Sequence, residues 1–366
     1  MIDSHIHLSC KCYNQTFPYI DYDGKELTIS ADGRREALIE EMKSRGVSCC
    51  IEPAIDVDSN ELLINLSKES DGFIYPAVGN HPTRCINSKL RDFKKVRKFS
   101  AGDGIIAIGE TGLDYHYERK DQHRLKQKVW FQWQINLADK LGLPLILHIR
   151  QADEDAVKIL RRNRKKLHGG VYHCFCGGAD IARIYTKEFG LGLGIGGTLL
   201  MKPEYRKRLE EAVIATPIEY LLLETDGPYV KPERPDDVTG KKWAKARNTS
   251  LILPNIAEKI AELKCMMVKD VVRITEENTR RVFKLNNCAL HSRYFRNAVN
   301  IRHTEPGYGY RGFVHGIPAG LRMMEREWLP VIRETTACVY FGQEKDIIVT
   351  CQHRTILEQD ILSENF

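Results

Sequence analysis

The chain has 366 residues, of which 42% are hydrophobic and 28% charged, and its formal net charge is +6. These are the proportions of a globular protein, and they exclude collagen-like, disordered and disulfide-stapled chains. No apolar run approaches the ~20 residues of a membrane helix, and the start Met1-Ile2-Asp3-Ser4-His5 has no basic stretch leading into an apolar one, so a cytoplasmic location with no membrane is expected.

The length accommodates one α/β barrel of ~250 residues plus a remainder. Residues 286–366 carry nine Lys and Arg against nine Asp and Glu, so the whole positive excess belongs to residues 1–285. Such a mild surplus permits an anionic substrate without arguing for a nucleic-acid coat protein. The eleven cysteines are odd in number and scattered, with Cys49 and Cys50 inside an apolar run, which predicts buried thiols in a reducing compartment. Cys10-x-Cys12 and Cys174-x-Cys176 each lack a second pair at zinc-site spacing.

In chain order, short apolar runs read as strands at residues 1–7, 47–53, 73–79, 104–110, 144–148, 170–173, 190–194 and 219–225. Helical periods separate them at residues 34–45, 59–68, 87–98, 122–141, 152–166, 179–187, 203–215 and 251–263. Eight alternations, with strands that are mostly apolar instead of strictly alternating, predict a parallel sheet covered by helices and closed as a (β/α)₈ TIM barrel. Catalytic groups of such a barrel sit at the C-terminal ends of its strands. His5, His7, His81, Glu110, His148, His173 and Asp226 fall there, whereas a doubly wound sheet would gather them at one crevice.

Asp3-Ser4-His5-Ile6-His7 places two imidazoles two residues apart, on one face of a strand. A polar pair aimed into a barrel needs a partner, and a divalent cation is the usual one, although hydrogen-bonded structural histidines are the competing reading. Glu110, in Gly109-Glu110-Thr111-Gly112-Leu113-Asp114, has two oxygens with which to bridge a pair of cations. His148 and His173 each follow an apolar strand, and two histidines so placed on consecutive strands read as a ligand pair. Leu221-Leu222-Leu223-Glu224-Thr225-Asp226 runs into two carboxylates: Asp226 reaches the site, and Glu224, like Asp3, is expected to support it by hydrogen bonds.

The chain from Met1 to about Leu285 resembles the TatD family of metal-dependent deoxyribonucleases, within the amidohydrolase-like barrels. The resemblance rests on Asp3-x-His5-x-His7, Gly79-Asn80-His81-Pro82, Gly109-Glu110-Thr111-Gly112-Leu113-Asp114-Tyr115, residues 143–148 with Arg150, His173-Cys174-Phe175, Glu224-Thr225-Asp226-x-Pro228-Tyr229, Arg247-Asn248, and Glu277-Asn278-Thr279-Arg280-Arg281-Val282-Phe283. It implies a dinuclear site in which His5, His7 and Asp226 hold one ion, His148 and His173 the other, and Glu110 both. It also implies metal-dependent hydrolysis of DNA, as a 3′ to 5′ exonuclease on single strands. The N/O donor set suits two divalent ions, Mg²⁺, Mn²⁺ or Zn²⁺. Thr83, Gly227 and Thr249-Ser250 depart from the family pattern, and all three positions concern the rim.

In the chemistry that follows, water deprotonated near neutral pH attacks phosphorus, with Asp226 orienting or deprotonating it and Glu110 holding the ions. His81 and Arg150 are expected to contact the phosphate, the alternative for Arg150 being a pair with Asp153. The densest basic run, residues 161–166, closes a helix and so falls at the bottom of the barrel, away from the chemistry. Rim contacts to a single strand are expected instead from Tyr115, Arg84, Lys242 and Arg247, which interleave aromatics and cations. The loop at residues 8–33, with Tyr13, Phe17, Tyr19 and Tyr22, is expected to narrow entry.

Residues 286–366 read as a small α+β extension, with a turn-rich stretch at 308–313, a helix at 321–333 and a hairpin from 336–341 and 347–351. Its balanced charge points to packing or to a protein partner. Two rival functions stand beside the nuclease: hydrolysis of another ester or amide, small or tRNA-linked, and a partner-bound component of a larger system.

Overall fold

The computed structural model describes residues 1–22, 27–29, 34–116, 120–236, 238–285, 337–341 and 347–351. The chain divides into two units, Met1–Leu285 and Asn286–Phe366.

In the first unit, β1 (Ile2–Asp3), β2 (Cys49–Pro53), β3 (Ile74–Val78), β4 (Ala107–Asp114), β5 (Leu145–Arg150), β6 (Gly170–Tyr172), β7 (Gly192–Ile195) and β8 (Leu221–Leu223) form one parallel sheet in chain order. The two outer strands meet: the Ser4 N–H donates to the Leu223 carbonyl at 2.9 Å, and Ile6 bridges Gly227 in parallel register. Helices α1 (Arg35–Ser44), α2 (Ser59–Glu69), α3 (Leu90–Ser100), α4 (Asp121–Leu141), α5 (Asp153–Arg162), α6 (Ala179–Arg183), α7 (Pro203–Ala215) and α8 (Leu253–Lys264) cover the strands, and α9 (Val268–Val282) follows α8. This is the (β/α)₈ barrel that the alternation predicts.

A strand buried on both faces needs apolar side chains in succession, and the two faces lead to separate cores. Inside the barrel, Ile2, Cys49, Ile51, Ala77, Ala107, Ile146, Val171 and Leu222 pack with Val282, Phe283 and Leu285. Cys50, one residue on, joins the larger core between strands and helices. The end of α9 therefore plugs the barrel at the N-terminal ends of the strands, where the Asn278 amide donates to the carbonyls of Ile218 and Leu221 at 2.8 and 2.9 Å. The sequence reading contains no α9, because its buried stripe includes Thr275, Asn278 and Thr279, polar residues whose burial depends on hydrogen bonds instead of apolarity.

Two strands differ from expectation. β1 pairs only over Ile2–Asp3, so His5 and His7 lie beyond it, where the Asp3 carboxylate accepts the His5 N–H at 3.1 Å. β4 runs on to Asp114, and its register against β5 shifts between Ile108 and Thr111. Glu110 is thus inside a strand, at an irregularity, and not at its end.

The loop after His7 holds a turn at Lys11–Tyr13 and an antiparallel pair, Ile20–Tyr22 with Leu27–Ile29. Tyr13 and Phe17 are buried, and the Tyr13 hydroxyl donates to the Asn248 carbonyl at 3.1 Å, so these two aromatics fasten the loop to the barrel. In the second unit Ala337–Phe341 and Ile347–Cys351 pair antiparallel, as the hairpin reading expects; residues 308–313 and 321–333 lie outside the described residues. Among the described residues no helix is long and apolar enough to cross a membrane.

Candidate metal centre

The C-terminal ends of the strands surround a cavity of about 490 Å³, lined by His7, His81, Glu110, Asp114, His148, Arg150, His173 and Asp226 together with Arg84 and Tyr229. Four histidines converge on one carboxylate oxygen, and a fifth on the other. His173 Nε2 lies 2.9 Å, His148 Nδ1 3.4 Å, His5 Nε2 3.8 Å and His81 Nε2 3.9 Å from Glu110 Oε1. His7 Nε2 is 3.5 Å from Glu110 Oε2 and 3.3 Å from Asp226 Oδ1. The histidines also meet in pairs, His5 Nε2 to His7 Nε2 at 3.2 Å and His148 Nδ1 to His173 Nε2 at 3.1 Å.

Whether these side chains fit a cation is a question of spacing. Donors about 2.1 Å from one ion, at angles of about 90 to 110°, lie about 3.0 to 3.4 Å from each other. Several separations above fall in that window, and the all-N/O donor set suits a divalent ion. The outer ring nitrogens of His5, His7 and His173 have no hydrogen-bond partner, so their orientation is set by packing and by what the inner nitrogens face.

Local structure fixes which nitrogen each ring offers. His148 Nε2 is 3.1 Å from Asp114 Oδ2, so its proton sits there and Nδ1 turns its lone pair toward Glu110. His173 Nδ1 faces the Glu224 carboxylate at 3.7 Å. Glu224 also accepts the Cys174 N–H at 2.5 Å, and Gly194 leaves the space its carboxylate fills, since a Cβ there would collide with it. Asp3 takes no place in the cavity: its oxygens accept the Thr225 hydroxyl at 2.6 Å and the Ser250 hydroxyl at 2.7 Å, tying β1 to the segment after β8. Asp226 stands in the left-handed region at φ 54°, which Asp tolerates better than most residues. His81 Nδ1 accepts the Thr83 N–H at 3.2 Å, which leaves its Nε2–H pointing into the cavity.

Charge follows from the same packing. Burial alone would raise the Glu110 carboxyl, but the His81, His173 and His5 rings and the His148 hydrogen bond hold it well below the usual carboxylate range. Burial and the neighbouring imidazoles push His5 well down and His81 to about 3. Against its burial, His7 is raised to about 9 by its hydrogen bond to Asp226 and by the Glu110 and Asp226 charges. His173 rises well above its ordinary value through Glu110 and Glu224, again against burial. The cluster is built around the negative charge of Glu110.

Of the rim residues named from sequence, Arg84 lines the cavity and Tyr115, Lys242 and Arg247 do not; Arg150, expected on the phosphate, lines it as well. The Tyr115 hydroxyl donates to Asp155 at 2.8 Å and its ring stacks under Arg124. Lys242 is exposed on the short helix Gly240–Lys245. The Arg247 backbone clamps the first loop, donating to the Pro18 carbonyl and accepting from the Ile20 N–H, each at 2.8 Å. Asp153, the alternative partner of Arg150, accepts from the Tyr172 hydroxyl at 3.4 Å. Sequence reasoning assigned no role to Asp114 or Tyr229, whose ring packs edge-on to His7. The signal for Asp114 was period 2: Glu110, Gly112 and Asp114 are alternate residues of one strand.

A TIM barrel with this donor set at the mouth defines a metal-dependent hydrolase. The family described as TatD related DNase matches residues 2–284, and the chain belongs to that family. It is 34% identical over 286 residues to the metal-dependent hydrolase YabD of Bacillus subtilis, covering 78% of this chain and 100% of that one. To a Yersinia pseudotuberculosis protein named 3′-5′ ssDNA/RNA exonuclease TatD it is 32% identical over 249 residues, 68% of this chain and 92% of the other. Among solved structures, YJJV, a TatD homologue from Escherichia coli K12, superposes with a TM-score of 0.63 at 22% identity, covering 78% of this chain and 98% of that one.

Proposed function

We propose that the protein is a divalent-metal-dependent nuclease that removes nucleotides from the 3′ end of single-stranded DNA. The observation that carries this reading is the convergence of His5, His148 and His173 on Glu110 Oε1 and of His7 on its Oε2, with Asp226 beside His7. In this reading His5, His7 and Asp226 would hold one ion, His148 and His173 a second, and Glu110 would be shared between them. Bound there, the ions supply the positive charge that lets water deprotonate near neutral pH and that stabilises the leaving oxygen.

The chain's own groups do the rest. Asp226, the carboxylate on the open side of the cluster, accepts the proton of the attacking water. His81 is neutral, and its Nε2–H donates to a non-bridging phosphate oxygen. Arg150 and Arg84 attract and orient the phosphate at the cavity wall. A cleaved strand end fits this arrangement because two guanidinium groups, Arg84 and Arg150, line the cavity, which suits one or two phosphates at a time.

That same confinement favours a second reading, hydrolysis of a smaller phosphoester, since Tyr115, Lys242 and Arg247 lie outside the lining. End-labelled single-stranded DNA, duplex DNA and RNA incubated with Mg²⁺ or Mn²⁺ separate the two. The nuclease reading expects stepwise shortening from the 3′ end, lowered about a thousandfold or more in Glu110→Gln. No metal-dependent cleavage by the wild type, or equal cleavage by Glu110→Gln, would falsify it.

A further inference from the structure

We infer that the face of the barrel opposite the catalytic mouth carries a second, non-catalytic site that binds the phosphate backbone of nucleic acid. The site is a groove of about 380 Å³ between the C-terminal ends of α3 and α4, lined by Lys94, Arg97, Lys98 and Lys140 over a floor that includes Leu137 and Leu141. Helices of a parallel barrel run antiparallel to its strands, so these helix ends lie at the N-terminal ends of the strands, away from Glu110.

Four observations point to a ligand. No carboxylate lines the groove. Among the described residues none of its four cations has an ion-pair partner, whereas neighbouring Lys95 is paired with Asp58 at 3.6 Å and Arg161 with Glu188 at 2.8 Å. Lys94 and Lys98 are four residues apart on one helix, and Lys94 and Arg97 three, spacings at which like charges repel and destabilise the helix. One cation per helix end would satisfy the dipole; two, Arg97 and Lys98, stand in the last turn of α3.

The occupant follows from how the charge continues. Lys284 reaches the Gly142 carbonyl at 2.9 Å, next to Leu141, and Lys166 reaches Asn136 on the same helix at 2.7 Å, with exposed Arg164 and Lys165 beside it. Two carboxylates near this path are paired elsewhere, Asp139 with His168 at 3.0 Å and Glu188 with Arg161 at 2.8 Å. A track of cations fits a linear polyanion of regular charge. The groove has no aromatic side chain on which a base could stack, so contact is with the backbone and is independent of sequence. The inference goes beyond the chemistry proposed for the mouth and stands or falls separately from it.

The test uses the full chain with Lys94→Glu, Lys98→Glu and Lys140→Glu combined, none of which touches the catalytic cluster. Binding of a long labelled single strand is followed in EDTA across a salt series. The triple variant is expected to bind about tenfold or more weakly at low salt, with a log–log salt slope shallower by about 2, while hydrolysis of a small chromogenic phosphodiester with Mn²⁺ and the thermal midpoint stay at the wild-type values. On the wild type, bound strand is expected to protect Lys94, Lys98 and Lys140 from acetylation. Unchanged affinity and slope in the variant overturn the inference, as does wild-type binding of polyglutamate or anionic vesicles as tight as that of the strand. If the wild type cleaves no nucleic acid yet the variant loses strand binding, the groove stands and the nuclease reading falls.

Discussion

Asp114 decides which nitrogen His148 offers to the cavity, by holding the proton on Nε2 at 3.1 Å. Asparagine in its place keeps the size but loses the charge that makes His148 a strong donor. Asp114→Asn is therefore expected to lower metal affinity and hydrolysis about 10- to 100-fold, checked by titrating Mn²⁺ into the apoprotein; an unchanged affinity would assign Asp114 to folding alone. Glu52 is a buried carboxyl outside the cavity lining. It is fully buried at the end of β2; one oxygen takes the Ser9 N–H and the other has no partner. Burial raises its carboxyl from 4.5 to about 7, the Ser9 hydrogen bonds opposing this in part. A raised folded value means the folded state holds the proton more tightly, so stability from this group is present below about pH 4.5 and falls as pH rises toward 7. Glu52→Gln, melted in EDTA, is expected to match the wild type near pH 4 and exceed it by on the order of 2–3 kcal/mol near pH 8. A pH-independent difference between the two proteins would contradict that sign.

Among elements, α9 and β4 show where pattern and structure part. α9 ends in Val282 and Phe283, which enter the inner core with Leu285 and close the barrel floor. Phe283→Ala leaves a cavity in a layer fed by every strand except β7, and is expected to cost about 3–5 kcal/mol in urea denaturation. The catalytic cluster is at the other end of the strands, so metal-dependent activity per folded molecule should not change. In β4, the residue types around Glu110 were legible, because a carboxylate in an apolar strand needs a reason. The register shift at Ile108 to Thr111 was not, since a bulge arises from pairing with β5 and leaves no local sequence period to read.

For the whole molecule, metal is expected to couple to stability. The six side chains proposed as ligands, with four histidines at ion-pair distance from Glu110 and Asp226 beside His5 and His7, gain from any cation that binds the folded state and not the unfolded one. Chelation with EDTA should lower the melting temperature and abolish hydrolysis, and Mn²⁺ at about 100 times its dissociation constant should restore about 2.7 kcal/mol for each site filled. Equal melting with and without the ion would remove the metal centre from the proposal. The net charge of +6 is carried by the barrel's 285 residues. Its densest run closes α5 at the barrel floor, as its position before a strand implied, while the unpaired cations of α3 and α4 share that floor and went unread.

By itself the sequence determined the alternation of eight strands and helices, the strand ends as the place of chemistry and most of the side chains that meet there. Those are local or periodic signals: apolar runs, helical spacing, and polar residues where an apolar strand stops. Which of them share a centre follows from the packing of the closed barrel. The Asp114–His148 and Glu224–His173 contacts, the Asn278 hydrogen bonds to Ile218 and Leu221, and the removal of Tyr115 and Arg247 from the cavity all depend on partners 34 or more residues away in sequence. Barrel closure is what brings such residues together, and no window of sequence contains both sides of that contact.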